Sequence, residues 1–182
     1  LETLRNAFKI KDIRQRIIFT FLMLIVIRIG SQLPIPGVDS EVFASWFASQ
    51  TADGMGFFDA ITGGSFYNMS VFALSITPYI TSSIIMQLLT IAIPKLEEMQ
   101  RDGEEGRKKI AEITRYLTVA LALIEAIAMS VGLRRGGYLE STSGVSGVLC
   151  LITVILTLTA GSAVLMWIGE RITEKGVGNG IS

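Results

Sequence analysis

The sequence of 182 residues contains no histidine and only one cysteine, Cys150. Without histidine, the chain cannot form a Ser-His-Asp or Cys-His catalytic centre, and it lacks the commonest ligand of transition metals in proteins. A single cysteine excludes a disulfide within the chain and argues against a cysteine-based metal cluster. We therefore expect a protein that is not an enzyme, with no catalytic residues, no metal ion and no cofactor.

Charged residues are also scarce. Only 18% of the residues are charged, half are hydrophobic, the mean hydropathy is +0.54 and the formal net charge is zero. These values are typical of membrane proteins. Because the chain has no overall positive field, we expect it to read no nucleic acid.

Four runs with little or no charge are long enough to cross a bilayer, at 17–33, 69–93, 116–133 and 141–169. They predict helices at about 17–33, 69–93, 109–133 and 145–168, and therefore an all-α polytopic transmembrane helix bundle. The first run could instead be a cleaved signal peptide, but no convincing small-x-small cleavage site follows it.

The run at 69–93 has no charged residue in 25 positions. As a helix it would reach roughly 38 Å, more than a bilayer core of about 30 Å. A helix that only anchors a chain needs neither Pro78 nor Gln87, whereas one that faces protein or a cavity tolerates them. We expect Pro78 to kink this helix. On its polar side, Thr81, Ser82, Ser83 and Gln87 can pair across helices without a charge.

The lysines and arginines are distributed unevenly along the chain. Five lie in the first sixteen residues, none lies between 31 and 68, and six lie between 94 and 115. Arg134 and Arg135 follow the third run, and Arg171 and Lys175 follow the fourth. The positive-inside rule then predicts that the N terminus and the 94–115 loop are cytoplasmic.

The segment 57–66 is apolar on one side and too short to span a bilayer, and it ends in two glycines near the long run. This pattern predicts a short re-entrant half-helix, which is tolerated only where protein or water covers its backbone ends. The alternative is an amphipathic helix on the outer leaflet.

Three isoleucines, Ile76, Ile80 and Ile84, recur four residues apart and share one helix face. Such a row usually packs in a core or faces lipid. The functional alternative is a hydrophobic constriction, in which branched apolar side chains close a pore by excluding water.

Glu125 is the only charged residue inside the third run. An acid within a membrane span is energetically costly, and it is a functional candidate by default. It could also stabilise helix packing in a neutral or hydrogen-bonded form, or titrate as the proton site of a carrier.

The tail contains Gly176, Gly178 and Gly180, but their spacing matches neither a P-loop nor a dinucleotide-binding fingerprint. We expect a flexible cytoplasmic turn there. The sequence starts at Leu1 rather than methionine and stops directly after this turn, so we expect a fragment of a longer chain.

Four separated strings resemble the SecY family of bacterial protein-translocation channels. They are RIGSQLPIPGVD at 28–39, ITPYITSSIIMQLL at 76–89, DGEEGRKKIAEITRY at 102–116 and MWIGERITEKGVGNGIS at 166–182. The four strings occur in the order and predicted topology of that family. The resemblance covers essentially the whole sequence, but only the N-terminal part of the family's ten-helix chain, about four helices.

The resemblance implies roles for individual residues. Ile76 and Ile80 correspond to two positions of the hydrophobic pore ring. The lateral gate, which opens toward lipid to admit signal sequences, corresponds to Thr81, Ile84 and Glu125. The plug, which seals the resting channel, corresponds to the half-helix at 57–66, with Phe57, Phe58, Ile61, Gly63 and Gly64.

The resemblance further implies a channel subunit that passes unfolded secretory polypeptides across the bacterial plasma membrane and releases membrane proteins sideways into it. The implied partners are the SecE and SecG subunits, the SecA motor, the ribosome, signal sequences with their preproteins, and the lipid bilayer. Two alternatives stay open on the residues alone. One is a secondary transporter with a broken helix and a proton-titrating Glu125, and the other is a structural membrane scaffold.

Overall fold

The computed structural model describes residues 10–50, 60, 64–65, 67–140 and 144–181. Its regular structure is helical, and the pairing between extended segments is limited, in these residues, to two isolated bridges. The helices are α1 (Lys11–Gly30), α2 (Ser40–Gln50), α3 (Thr77–Ala92), α4 (Pro94–Arg101), α5 (Glu104–Gly136) and α6 (Gly144–Lys175). The predicted all-α fold class is confirmed.

Helices α5 and α6 are the longest, with 33 and 32 residues, and both are long and apolar enough to cross a membrane. Helices α3 and α4 together could form one more span, but they are bent by 101° at the break between them. Helix α1 is not among these candidates, and it carries Arg14, Arg16 and Arg28. The prediction that α1 crosses the membrane stays a prediction.

Helix α5 is the centre of the fold, because it packs against α3, α4 and α6. Five of its buried residues recur every four positions and have small side chains, namely Thr114, Thr118, Ala122, Ala126 and Ser130. Small residues let neighbouring helix backbones approach closely. In lipid the hydrophobic effect does not drive helices together, so this close packing stabilises their association. Helix α1 contacts α6 and completes the bundle.

The predicted helix at 69–93 is wrong at its start, because α3 begins only at Thr77. Met69 and Ser75 have positive φ angles of 42° and 55°, which a right-handed helix cannot contain. Pro78 lies in the first turn of α3, where its missing N–H would have no partner within the helix. It therefore helps to begin the helix rather than kinking it.

The irregular segment 69–76 is covered by protein. Met69 and Ser70 are fully buried, and Phe72, Ala73 and Leu74 are nearly so. Its backbone pairs with the segment after α1, since the Ile35 N–H donates to the Met69 carbonyl and the Val71 N–H donates to the Leu33 carbonyl, at 2.9 and 3.0 Å. Irregular backbone at membrane depth requires such cover.

Helix α4 lies inside the predicted 94–115 loop, where the sequence pattern predicted no separate helix. Pro94 occupies the first turn of this helix, and Gly103, with φ of 79°, separates it from α5. Helix α5 begins at Glu104, five residues before the predicted start at about 109. Glu104 and Glu105 lie in its first turn, where acids favour the positive end of the helix dipole.

Candidate functional site

A cavity of about 220 Å³ lies where the 64–76 segment, α1, α6 and the tail meet. Its walls are mostly apolar, and they are formed by Ile27, Ser65, Phe72, Ser75, Ile76, Leu165, Gly169, Gly180 and Ile181. One of the two predicted pore-ring residues, Ile76, therefore borders an apolar cavity between helices.

Two contacts with α6 hold the backbone just before Ile76. The Ser162 hydroxyl donates to the Ser75 carbonyl at 3.1 Å. Gly161 lies so close to Val71 that a Cβ at position 161 would overlap the Val71 carbonyl oxygen. A residue with a side chain at position 161 would force the two backbones apart, so this glycine fixes the distance between the 69–76 segment and α6.

The tail forms the expected turn and folds back onto α6 at residues 176–181. The Thr173 hydroxyl donates to the Gly169 carbonyl at 3.0 Å and accepts the Gly180 N–H at 2.9 Å. Gly180 thereby packs against Gly169, and a Cβ at position 180 would overlap the Gly169 carbonyl oxygen. The glycines of the tail permit this close approach.

The tail also contacts α1. The Val177 N–H donates to the Thr20 hydroxyl oxygen at 3.0 Å, and the Arg16 guanidinium donates to the Gly176 carbonyl at 3.3 Å. The first half of α1 is thus joined to the tail.

Two isoleucines of α3, Ile80 and Ile84, lie on the face opposite to its buried face. Ile80 and Ile84 are 41% and 52% exposed, whereas the opposite face buries Pro78, Ser82, Met86 and Thr90. The Ser82 hydroxyl donates to the Pro78 carbonyl in its own helix, at 2.7 Å. The expected hydrogen bond from Ser82 to another helix is therefore wrong, since its hydroxyl already has a partner four residues earlier.

The predicted gate residues lie on the two packed helices α3 and α5. Thr81 and Glu125 are both partly buried. Among the described residues, no hydrogen bond joins Thr81 to Glu125, and the Glu125 carboxylate has no hydrogen-bond partner. Their assignment to a gate stays a prediction.

Most of the predicted plug lies outside the described residues, namely Phe57, Phe58, Ile61 and Gly63. Gly64 is described and has φ of 82°, a conformation that favours glycine. The next residue, Ser65, is buried, accepts the Ser70 N–H at 2.9 Å and lines the cavity. The end of the 57–66 segment therefore reaches the cavity that contains Ile76.

A polar cluster that was not predicted lies beyond the cavity. The Arg115 guanidinium of α5 donates to the Glu170 carboxylate of α6 at 2.9 Å. Both side chains border a wider, open cavity of about 650 Å³, together with Tyr79, Trp167 and Arg171. The signal was the position of the charges, because Arg115 directly precedes the third uncharged run and Glu170 directly follows the fourth.

The SecY family model matches residues 70–182, which is more than half of the chain. The chain belongs to the SecY family. The protein translocase subunit SecY of Thermotoga maritima is 46% identical over 100% of this chain and 43% of its own length. For the protein translocase subunit SecY of Bacillus subtilis, the identity is 48%, over 100% of this chain and 41% of its own.

Two solved structures share the fold at a TM-score of 0.58 and 21% identity. Their titles are "Sec61 in the Canine ribosome-channel complex from the endoplasmic reticulum" and "The structure of a protein conducting channel". Each likeness covers 92% of this chain and 34% of the solved chain.

The chain thus spans less than half the length of the curated relatives it matches. Family membership and its long apolar helices make it a membrane protein. The names of the relatives describe a translocase subunit and indicate no catalytic activity. The matches do not favour the alternative of a proton-coupled transporter.

Proposed function

We propose that this chain is the N-terminal part of a protein-conducting channel subunit. The whole subunit passes unfolded secretory polypeptides across the bacterial plasma membrane and releases membrane proteins sideways into the lipid. The observation that carries this proposal is the match to the SecY family over 70–182, together with relatives that are named as translocase subunits. The chain does no covalent chemistry, and a partner supplies the energy.

The proposed seal of the resting channel is hydrophobic. Ile76 borders an apolar cavity, and Ile80 projects one turn later from the exposed face of α3. Branched apolar side chains that ring a narrow pore exclude water, and ions cannot pass without their hydration. Phe57, Phe58, Ile61, Gly63 and Gly64 form the plug in this proposal, which is supported by the burial of Ser65 at the cavity wall.

The proposed lateral gate uses the face of α3 that carries Thr81 and Ile84, with Glu125 of the adjacent α5. A signal sequence would open the gate by burying its apolar helix there, in place of lipid contact. The proposed partners are SecE, SecG, the SecA motor and the ribosome. The proposed orientation places the N terminus in the cytoplasm, as the distribution of basic residues predicts.

The test is an ion-leak measurement on the full-length protein that carries this sequence, reconstituted in vesicles. We expect the double substitution Ile76→Ser and Ile80→Ser to raise the resting leak, because serine hydroxyls wet the constriction. The matched control is Ile91→Ser on the same helix, where the side chain is 80% exposed. An unchanged leak in the double variant, with normal protein levels, would contradict the pore-ring assignment.

A further inference from the structure

We propose that Gly169 is a positioning residue, which forms a notch in α6 that receives the end of the Ile76 side chain. The notch sets how far Ile76 projects into the cavity and therefore the width of the passage beside it. This inference rests on the proposed role of Ile76 in the pore ring. It adds to the surroundings of the pore ring a residue of α6, which is far from Ile76 in sequence.

The notch follows from the distances around Gly169. A Cβ at position 169 would lie 3.3 Å from the Cδ1 atom of Ile76 and 3.4 Å from the Gly180 carbonyl oxygen. Carbon atoms in favourable contact lie about 3.5–4.0 Å apart. The Ile76 side chain therefore occupies space that any side chain at position 169 would need.

The contacts around the notch determine which atom would yield. The Gly180 backbone is held against α6 by the Thr173 hydroxyl, which also donates to the Gly169 carbonyl. Gly169 itself is buried in α6 between the buried residues Ile168 and Ile172. The terminal methyl of Ile76, by contrast, belongs to a side chain that borders the cavity. An added methyl group would therefore displace this side chain toward the open space.

The consequence for the channel is steric. Gly169→Ala should shift the end of Ile76 by a few tenths of an ångström into the cavity. A narrower passage hinders bulky side chains more than small ones, because packed walls resist small overlaps steeply. Unfolding is not expected, since alanine favours a helix more than glycine does.

The experiment uses the full-length protein in vesicles and two secretory polypeptides, one with an aromatic-rich segment and one with a glycine- and serine-rich segment. We expect Gly169→Ala to slow passage of the aromatic-rich segment several-fold and to leave the other nearly unchanged. Ile76→Val deletes the Cδ1 atom that the new methyl group would meet. The double variant Gly169→Ala, Ile76→Val should therefore pass the aromatic-rich segment at nearly the original rate. Gly132→Ala is the matched control, because a Cβ there has nothing within 4 Å.

A second readout separates this inference from the proposed function. With isoleucine δ1 methyl groups labelled for NMR in detergent, Gly169→Ala should shift the Ile76 resonance, and Gly132→Ala should not. The notch is supported if Gly169→Ala slows only the aromatic-rich segment, Ile76→Val reverses this slowing, and the Ile76 resonance shifts. No resonance shift, or slowing that Ile76→Val does not reverse, overturns it. An unchanged ion leak in the Ile76→Ser, Ile80→Ser variant is a separate result, which would contradict the pore-ring assignment and not the notch.

Discussion

The two ends of the α5–α6 pair are held together in different ways. The loop end comprises the segments 33–39 and 138–140 near the carboxyl end of α5, together with the paired segment 69–76, which reaches along α6 to Gly161 and Ser162. The Asp39 N–H donates to the Tyr138 carbonyl at 2.9 Å, and Ile35 and Val71 pair with the neighbouring loop in the same manner. A cluster of buried apolar residues, including Phe47 and Leu158, fills the space beneath these segments.

The tail end lies at the other end of α6, where Arg16, Thr20, Arg115, Glu170 and the tail meet. Side chains make most of its contacts, including the hydroxyl of Thr20 and the Arg115–Glu170 ion pair. The side chains of that pair are 52% and 22% exposed. Exposed ion pairs contribute about 0–1 kcal/mol each, and single hydrogen bonds about 1 kcal/mol.

This difference indicates which end can move. The loop end combines backbone pairing with full burial, and its parts must separate together. The tail end is held by individual hydrogen bonds and a partly exposed ion pair, of which the two bonds of the Thr173 hydroxyl hold Gly180 against α6. Ile76 lies between them, because the preceding residue, Ser75, is bonded to α6, while the Ile76 side chain lies against Gly169 and borders the cavity that Gly180 also lines.

The largest expected effect comes from Gly161→Ala at the loop end. The added methyl group would overlap the Val71 carbonyl oxygen, and a backbone atom cannot yield as a side chain can. We expect a loss of about 3 kcal/mol, near the upper end for overpacked positions. Thermal unfolding in detergent measures it. The matched control, Gly132→Ala, should be neutral or stabilising by up to about 1 kcal/mol. Equal stability of the two variants would show that the loop end is not rigid.

Hydrogen exchange at the Val177 amide gives the next largest effect. Thr20→Val removes the hydroxyl oxygen that accepts this N–H but keeps the shape of the side chain. We expect faster exchange at Val177, corresponding to about 1 kcal/mol, because the partner is lost and the amide is near solvent. Thr157→Val, which alters a bond within α6 only, is the control. Unchanged exchange at Val177 would mean that α1 does not hold the tail.

The sequence predicted the long helices because a span in lipid must lack charge, and that absence is visible without a structure. The start of α3 was not predictable in the same way. It depends on Gly161 and Ser162, which contact the 69–76 segment from far along the chain. A local rule would still have helped, since Pro78 and Pro94 each occupy the first turn of a helix.

Part of the candidate site could also be predicted from the sequence, and part could not. The isoleucine row was visible as a helix face, and the exposure of Ile80 and Ile84 agrees with a face turned away from the bundle. The surroundings of Ile76 were not visible, because the packing of α6 places Gly169 beside it and the fold of the tail brings Gly180 to the same cavity. A glycine-rich stretch predicts a backbone that can adopt many conformations and approach other segments closely. Which segment it approaches depends on the tertiary packing.

The smallest expected effect is the coupling between Arg115 and Glu170 at the tail end. We expect a double-mutant cycle with Arg115→Gln and Glu170→Gln to give about 0.5 kcal/mol of coupling in the unfolding free energy, because the pair is partly exposed. The coupling should decrease when the salt concentration rises from 0.1 M to 1 M, since mobile ions screen exposed charges. The exposed pair Arg101–Glu97, four residues apart in α4, is the reference for a pair that joins no two helices. A salt-independent coupling of several kcal/mol would make the tail end as firm as the loop end and would abolish the distinction between them.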